Sequence, residues 1–262
     1  MGSELLSGLL RHDRAIVLGA LAAVVAAAWA YLLLGAGLPM PSMDMGGGHM
    51  MTMQPQWTLG YAVLIFIMWA VMMAAMMLPS AAPTVLLVAA LARRNAAGAG
   101  FTSATALLFA LGYLLVWSGF SLLAGALQWA LDRAGMLSAR MAVANAAIAG
   151  IVLIAAGAYQ WTPLKETCLR HCRSPVAFLV QHWRRGARGA VATGLRHGLY
   201  CLGCCWMLMA LLFVAGLMNL AWVAAVALLV LLEKTMPWGG RMSRLAGALL
   251  AIWGVVGLYR AF

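Results

Sequence analysis

Acidic residues are scarce in this chain: 262 residues carry six Asp and Glu against 17 Lys and Arg, and charged residues make up only 9% of the whole. So few carboxylates, most of them near loops and helix ends, argue against paired-carboxylate catalysis. There is no Gly-rich nucleotide loop ending in Lys-Ser/Thr, no His-Glu-x-x-His and no Gly-x-Ser-x-Gly. Without an aspartyl-phosphate motif or a nucleotide domain, a self-sufficient ATP-driven pump is excluded. Internal repeats are not evident, which weakens the case for an inverted-repeat transporter. The balance points to a binding or transport protein more than to an enzyme.

What fills the chain instead is apolar: 65% of residues are hydrophobic. The runs are too long for a water-soluble core. A window of about 20 residues finds seven: Ala15–Leu34, Trp57–Leu78, Phe101–Leu127, Arg140–Tyr159, Leu199–Met218, Leu220–Leu232 and Leu245–Tyr259. The expected fold is an all-α, polytopic transmembrane helical bundle of seven spans, with six as the fallback because the sixth run is short. The first run is long for a signal peptide and no small-residue cleavage site follows, so it reads as a retained helix.

Lys and Arg set the orientation. With the N-terminus cytoplasmic, the inner segments hold Arg11, Arg14, Arg93, Arg94, Lys165, Arg170, Arg173, Arg184, Arg185, Arg188, Arg196, Lys234, Arg241 and Arg244. The outer side keeps Arg133, Arg140 and Arg260. The net charge of +11 therefore reflects topology and contact with anionic lipid rather than nucleic-acid binding. One transmembrane domain spans 1–262, with an external Met-rich loop at 39–56 and a basic, Cys-containing cytoplasmic loop at 162–196.

The external loop carries the sharpest chemical signal. Met40, Met43, Met45, Met50, Met51 and Met53 crowd fourteen residues with His49, around a hinge of Gly46, Gly47 and Gly48. Thioether sulfur is soft and uncharged and selects Cu(I) over Zn(II), Mg(II) or Ca(II). Met is also an adaptable apolar filler, but filler does not explain the Ser, Asp, Thr, Gly and His between the sulfurs.

All five cysteines fall on the inner side in this topology. An odd number of thiols, clustered in two motifs, speaks for metal or redox chemistry rather than a disulfide scaffold. On a helix, Cys168, His171 and Cys172 share a face at i, i+3 and i+4. His197, Cys201, Cys204 and Cys205 form a stripe at i, i+4, i+7 and i+8. Together they suffice for a closed zinc site of four thiolates, or of three thiolates and an imidazole, or for a two- to three-coordinate Cu(I)–thiolate site. Buried free Cys is also common as a small hydrophobe.

The second run connects the two ends. Met68, Met72 and Met76 repeat every four residues, with Met73 and Met77 forming a second stripe beside them. Ala70, Ala74 and Ala75 allow a neighbouring helix to approach closely, and Pro79 is expected to end or kink the helix at the cytoplasmic rim. Glu233 and Lys234 are expected at the inner interface as a local ion pair or a snorkelling lysine. Asn145 and Asn219 are expected to bond between helices or across a turn, and the eleven tryptophans to anchor mostly at the interfaces. His171 and His197 belong on the wet inner rim.

Met68-Trp69-x-x-Met72-Met73-x-Ala75-Met76-Met77-x-Pro79, Thr162-Pro163-Leu164-Lys165-x-x-Cys168-Leu169-x-x-Cys172-Arg173-Ser174-Pro175 and Cys201-x-Gly203-Cys204-Cys205-Trp206 resemble the motifs of one group. So do Gly216-Leu217-Met218-Asn219-Leu220 and Glu233-Lys234. The group is an uncharacterised set of bacterial multi-pass proteins described as predicted metal-binding integral membrane proteins, and the resemblance runs from Trp57 to Arg244. It implies a multi-pass protein of the bacterial inner membrane that binds metal, with the five span methionines and five cysteines on the family pattern. It does not reach the external loop, whose copper reading rests on chemistry. The leading expectation is copper handling or transport, with Cu(I) held by thiolates inside and thioethers outside, a metallochaperone or membrane-protein partner, and the bilayer as surroundings. The alternatives are a zinc-stapled scaffold or assembly partner, and a membrane redox enzyme using Cys204-Cys205 or a haem.

Overall fold

The computed structural model describes residues 2–36, 42–44, 50–52, 56–94, 100–138, 141–184 and 186–261. It is a helical bundle with one short hairpin. In chain order come α1 (Gly2–Leu33), β1 (Ser42–Asp44), β2 (Met50–Thr52), α2 (Leu59–Arg94), α3 (Gly100–Arg133), α4 (Ala146–Tyr159) and α5 (Pro163–Arg173). Then follow α6 (Pro175–His182), α7 (Gly186–Ala210), α8 (Leu212–Ala215), α9 (Leu220–Thr235) and α10 (Gly239–Ala261).

Each of the seven apolar runs becomes a helix: α1, α2, α3, α4, α7, α9 and α10. Among the described residues, five helical stretches are long and apolar enough to cross a membrane: Ala15–Leu33, Leu59–Arg93, Ala104–Arg133, Gly186–Ala215 and Gly239–Ala261. The 14-residue α4 rises only about 21 Å at ~1.5 Å per residue, short of a hydrocarbon core of about 30 Å. It continues into α5 through a 64° bend, which would make a sixth crossing. The 16-residue α9 is also short, so by length the expectation of seven spans reduces to five, or six with the bent pair. Leu107, Leu111, Leu115, Leu245, Leu249 and Ile252 are exposed, an apolar outer surface that fits lipid better than water.

Several expected boundaries shift, each for a local reason. Pro79 does not end α2, which runs on through Pro79 and Pro83 to Arg94. A proline removes one helical donor, but packing of the surrounding turns, with Met76, Met77, Leu78 and Ala81 all buried, holds the helix together. The fourth helix starts at Ala146 rather than Arg140 because Asn145 caps it, accepting from the backbone N–H of Ala147 and Ile148. Asn219 likewise caps α9 by accepting from Trp222 N–H. The basic segment 162–196 is not an open loop. Thr162 and Pro163 start α5, Pro175 starts α6, and Gly186, at φ +82, is the first residue of α7.

Glycines let the helices meet at backbone distance. A Cβ on Gly194 would lie 2.1 Å from the Phe109 carbonyl oxygen, and one on Gly112 would lie 2.3 Å from that of Val191. These contacts join α3 and α7, which run parallel, with Gly198 against Val116 further along. Against α3, α2 runs antiparallel: Trp69 Nε1 donates to Gln128 Oε1 at 2.8 Å and Tyr113 Oη to the Met77 carbonyl at 3.3 Å. Gly150 and Gly157 of α4 meet Gly254 and Gly247 of α10, also antiparallel. At the end of the bundle where α2 begins and α3 ends, Trp57 Nε1 donates to Asp132 Oδ2 at 2.5 Å. Trp69 and Trp117 are buried in the core rather than anchored at an interface, whereas Trp129, Trp161, Trp206, Trp238 and Trp253 are exposed.

Candidate metal centre

The methionine stripe of α2 faces inward. Met68, Met72, Met73, Met76 and Met77 are all at most 2% exposed. From Met68 to Met77 the helix climbs about 14 Å at ~1.5 Å per residue, and its Met77 end reaches the cysteines of α7. Cys205 Sγ lies 3.9 Å from Met77 Sδ. Cys201, Cys204 and Cys205 are each 1% exposed, and the thiols of Cys204 and Cys205 donate back to the Cys201 carbonyl at 3.1 and 3.0 Å.

The second cysteine motif arrives from α5. Cys168 and Cys172 share its buried face, as their i, i+4 spacing requires. Cys172, also buried, lies close enough to Cys201 and Cys204 to interact with them electrostatically. Gly203 makes room for Cys168, whose Sγ would lie 2.7 Å from any Cβ added there. Tyr159 Oη donates to the Gly203 carbonyl, fixing the α4–α5 bend against α7. Two sequence motifs some thirty residues apart thus meet in one buried cluster with the end of the Met stripe. Among the described residues, however, no three His, Cys, Asp or Glu side chains are arranged as a ready-made metal cage.

Both histidines pack against aromatic rings. His197 is not on a wet rim: it is 2% exposed, with its ring among Phe109, Tyr113 and Phe178 at centroid distances of 5.7, 5.7 and 5.0 Å, and its Nδ1 has no partner. His171 turns out of the Cys168–Cys172 face. It stacks on Tyr200 at 4.2 Å, with Nδ1 at 2.8 Å from the Thr167 carbonyl.

Glu233 and Lys234 depart most from expectation, because they neither pair with each other nor snorkel. Both are buried. Lys234 Nζ reaches Cys201 Sγ at 2.9 Å, Ser80 Oγ at 3.2 Å, and Met77 Sδ and Cys205 Sγ at 3.9 Å each. Tyr113 Oη completes the surround, 2.9 Å from Cys201 Sγ. Lys234, Tyr113 and Ser80 are the members of this centre that motif reading did not assign. A charge directly after an apolar run was the available signal for Lys234; nothing in the sequence marks Tyr113 or Ser80.

The Met-rich loop is partly described. Its backbone forms the β1–β2 hairpin, with Met43 opposite Met51 and Asp44 opposite Met50. Met40, Met45, His49 and Met53 lie outside the described residues, as does the Gly46–Gly48 hinge.

No curated protein and no solved structure matches the chain. A family does: residues 66–257, from within α2 to within α10 and including every cysteine and all five buried α2 methionines named above, match the model described as PpoB2, copper chaperone. The chain belongs to this copper chaperone family.

Proposed function

We propose that this protein binds Cu(I) at the cluster of Cys172, Cys201, Cys204, Cys205 and Met77, with Cys168 at its edge, and passes the ion along the α2 thioethers within a membrane. The observation that carries the reading is the contact of Met77 Sδ with Cys205 Sγ at 3.9 Å, where the thioether stripe meets the thiols. Soft sulfur donors select Cu(I), and a two-coordinate ion needs no tetrahedral cage. The zinc scaffold calls for four convergent ligands.

Charge supports the same reading. Two thiolates on one Cu(I) leave a net negative charge, which is costly to bury unpaired. Lys234 supplies an ammonium at 2.9 Å from Cys201 Sγ. Loading the site releases thiol protons, and the ion then moves by exchange onto thioethers, which bind well enough to receive it and weakly enough to let it go. In this reading the N-terminus is cytoplasmic, the hairpin methionines with His49 form the outer station, and a metallochaperone or membrane partner exchanges the ion at one end. The haem reading gains nothing from His197, which three aromatic rings enclose.

Elemental analysis of detergent-purified protein, loaded with Cu(I) anaerobically against a competing chelator, tests the proposal. Stoichiometric copper in the wild type, lost on Cys201→Ser with Cys205→Ser, is expected. Tightly held zinc without copper would replace the reading with the scaffold, and iron with a Soret band would replace it with the redox enzyme.

A further inference from the structure

A second site lies where α4 bends into α5, away from the sulfur cluster. A cavity of about 210 Å³ opens there, lined by Gln160, Trp161, Lys165, Arg170, Arg173, Ser243 and Arg244 among others. Of its charged walls, Lys165, Arg170, Arg173 and Arg244 are cationic and Glu166 alone is anionic. Lys165 is neutralised by Glu233 at 2.7 Å, but Glu233 does not line the cavity. Arg244 stands 3.6 Å from Glu166 with both side chains more than half exposed, a contact that contributes little in water. Arg173 is held in place through its donation to the Met236 carbonyl at 2.9 Å and to that of Pro237 at 2.5 Å. The walls keep a positive excess that their internal pairing does not cancel.

The floor supplies an independent sign of a missing acceptor. Gln160 is 4% exposed. Its Oε1 accepts from Lys165 Nζ and, at 3.0 Å, from Ser243 Oγ. A lysine ammonium can only donate, so the amide orientation is fixed by its partners. That leaves Nε2, a buried donor, without a partner, and an unsatisfied buried donor costs about 1–3 kcal/mol. Gly240, in the first turn of the 23-residue α10, also lines the cavity, at the helix end whose dipole favours an anion. Trp161 and Trp238, both about half exposed, flank this end as residues do at a headgroup boundary.

We propose that this cavity is a binding site for a phosphate group, held by Arg170, Arg244 and the free amide of Gln160. The group comes either from an anionic phospholipid headgroup, for which basic pockets between helices at the cytoplasmic side are suited, or from free phosphate. The site contains no sulfur ligand and is independent of the copper reading.

The test compares the full-length protein with Arg170→Gln/Arg244→Gln and with a charge-matched control, Arg188→Gln/Arg196→Gln, whose arginines are exposed outside the cavity. Each is extracted from phosphatidylcholine vesicles containing phosphatidylglycerol. Retained lipid is read by native mass spectrometry, and inorganic phosphate is titrated against thermal stability. Wild type and control should retain phosphatidylglycerol, or be stabilised by phosphate, with about tenfold higher affinity than the cavity variant, as expected for losing charge-assisted hydrogen bonds. Lipid retention without a phosphate response identifies the headgroup; a phosphate response alone identifies the free ion. Equal losses in the cavity variant and the control, or no binding by the wild type, would overturn the site. Gln160→Glu keeps an oxygen for Lys165 and Ser243 and replaces the free donor with an acceptor. It should abolish binding, and wild-type binding by a folded Gln160→Glu protein would remove Gln160 from the site.

Discussion

Glu233 and Lys234 are neighbours in the chain and serve different sides of α9. Successive residues on a helix point about 100° apart, so Glu233 meets Lys165 at 2.7 Å while Lys234 meets Cys201 at 2.9 Å. One helical turn thereby ties α9 to α5 through an ion pair and to α7 through a thiol. Glu233 Oε1 has no partner, and Oε2 makes the ion pair with Lys165.

Breaking that contact should be expensive. Lys165→Met leaves Glu233 buried without its ion-pair partner, and removal of one member of a buried pair costs about 3–5 kcal/mol. Lys165→Met combined with Glu233→Met should recover much of the loss, because two apolar side chains of similar bulk need no pairing. Thermal melts in detergent decide it: a double variant as unstable as the single one would deny that the uncompensated charge is the cause.

Lys234→Met tests charge balance at the sulfur cluster. The stem keeps its bulk and the ammonium goes, so a bound Cu(I)–dithiolate would carry its negative charge unpaired. Cu(I) affinity should fall about tenfold or more, since one nearby charge at an effective dielectric of ~20 is worth several kcal/mol. Lys234→Arg should retain more affinity than Lys234→Met, and equal affinity in all three proteins would remove Lys234 from the mechanism.

Met77→Leu separates sulfur chemistry from packing. A volume-conserving exchange in a core usually costs less than about 1.5 kcal/mol, so folding should change little. Competition with a Cu(I) chelator should show weaker binding or slower release from the thiols. A variant that folds, binds and releases as the wild type does would leave the α2 stripe as packing.

The apolar runs and the two cysteine motifs were legible because each depends on local composition or on helical spacing. Met68 to Met77 line one side of α2 and Cys201 to Cys205 one side of α7, as periodicity requires. His171 and His197 share the spacing of the cysteines but not their environment. Spacing fixes a direction around a helix, whereas the rings of Tyr200, Phe109 and Phe178 that receive the two imidazoles come from elsewhere in the chain. Lys234 misled for a related reason. A charge at the end of an apolar run usually reaches water, and only the convergence of α2, α3 and α7 gives this one Ser80, Tyr113 and Cys201 as partners. Pro79 shows tertiary packing outweighing a local rule.

Gly194→Ala should disrupt the interface that holds Tyr113 against Cys201. The added Cβ would meet the Phe109 carbonyl oxygen at 2.1 Å, and backbone cannot yield as a flexible side chain can. Overpacking costs about 1–3 kcal/mol, and separation of α3 from α7 should weaken Cu(I) binding as well. Gly19→Ala, where a Cβ meets nothing within 4 Å, is the matched control and should leave both properties unchanged. Equal melting of the two variants would show that the close approach of α3 and α7 is not needed.

Cys172 and Cys204 should behave as one unit toward the metal. Cys172 approaches from α5 and Cys204 from α7, both buried and close enough to interact electrostatically. If one Cu(I) draws on both, Cys172→Ser or Cys204→Ser alone removes most of the binding and the double variant loses little more. The coupling between residues in one such network runs to about 0.5–3 kcal/mol, large enough to measure by chelator competition. Binding should also pin α5 against α7, so metal loading should slow protease cleavage between Thr162 and Arg196 in the wild type and not in either variant. Additive losses, or protection that survives both substitutions, would mean that the two cysteine motifs bind metal separately and that their meeting in the fold is packing alone.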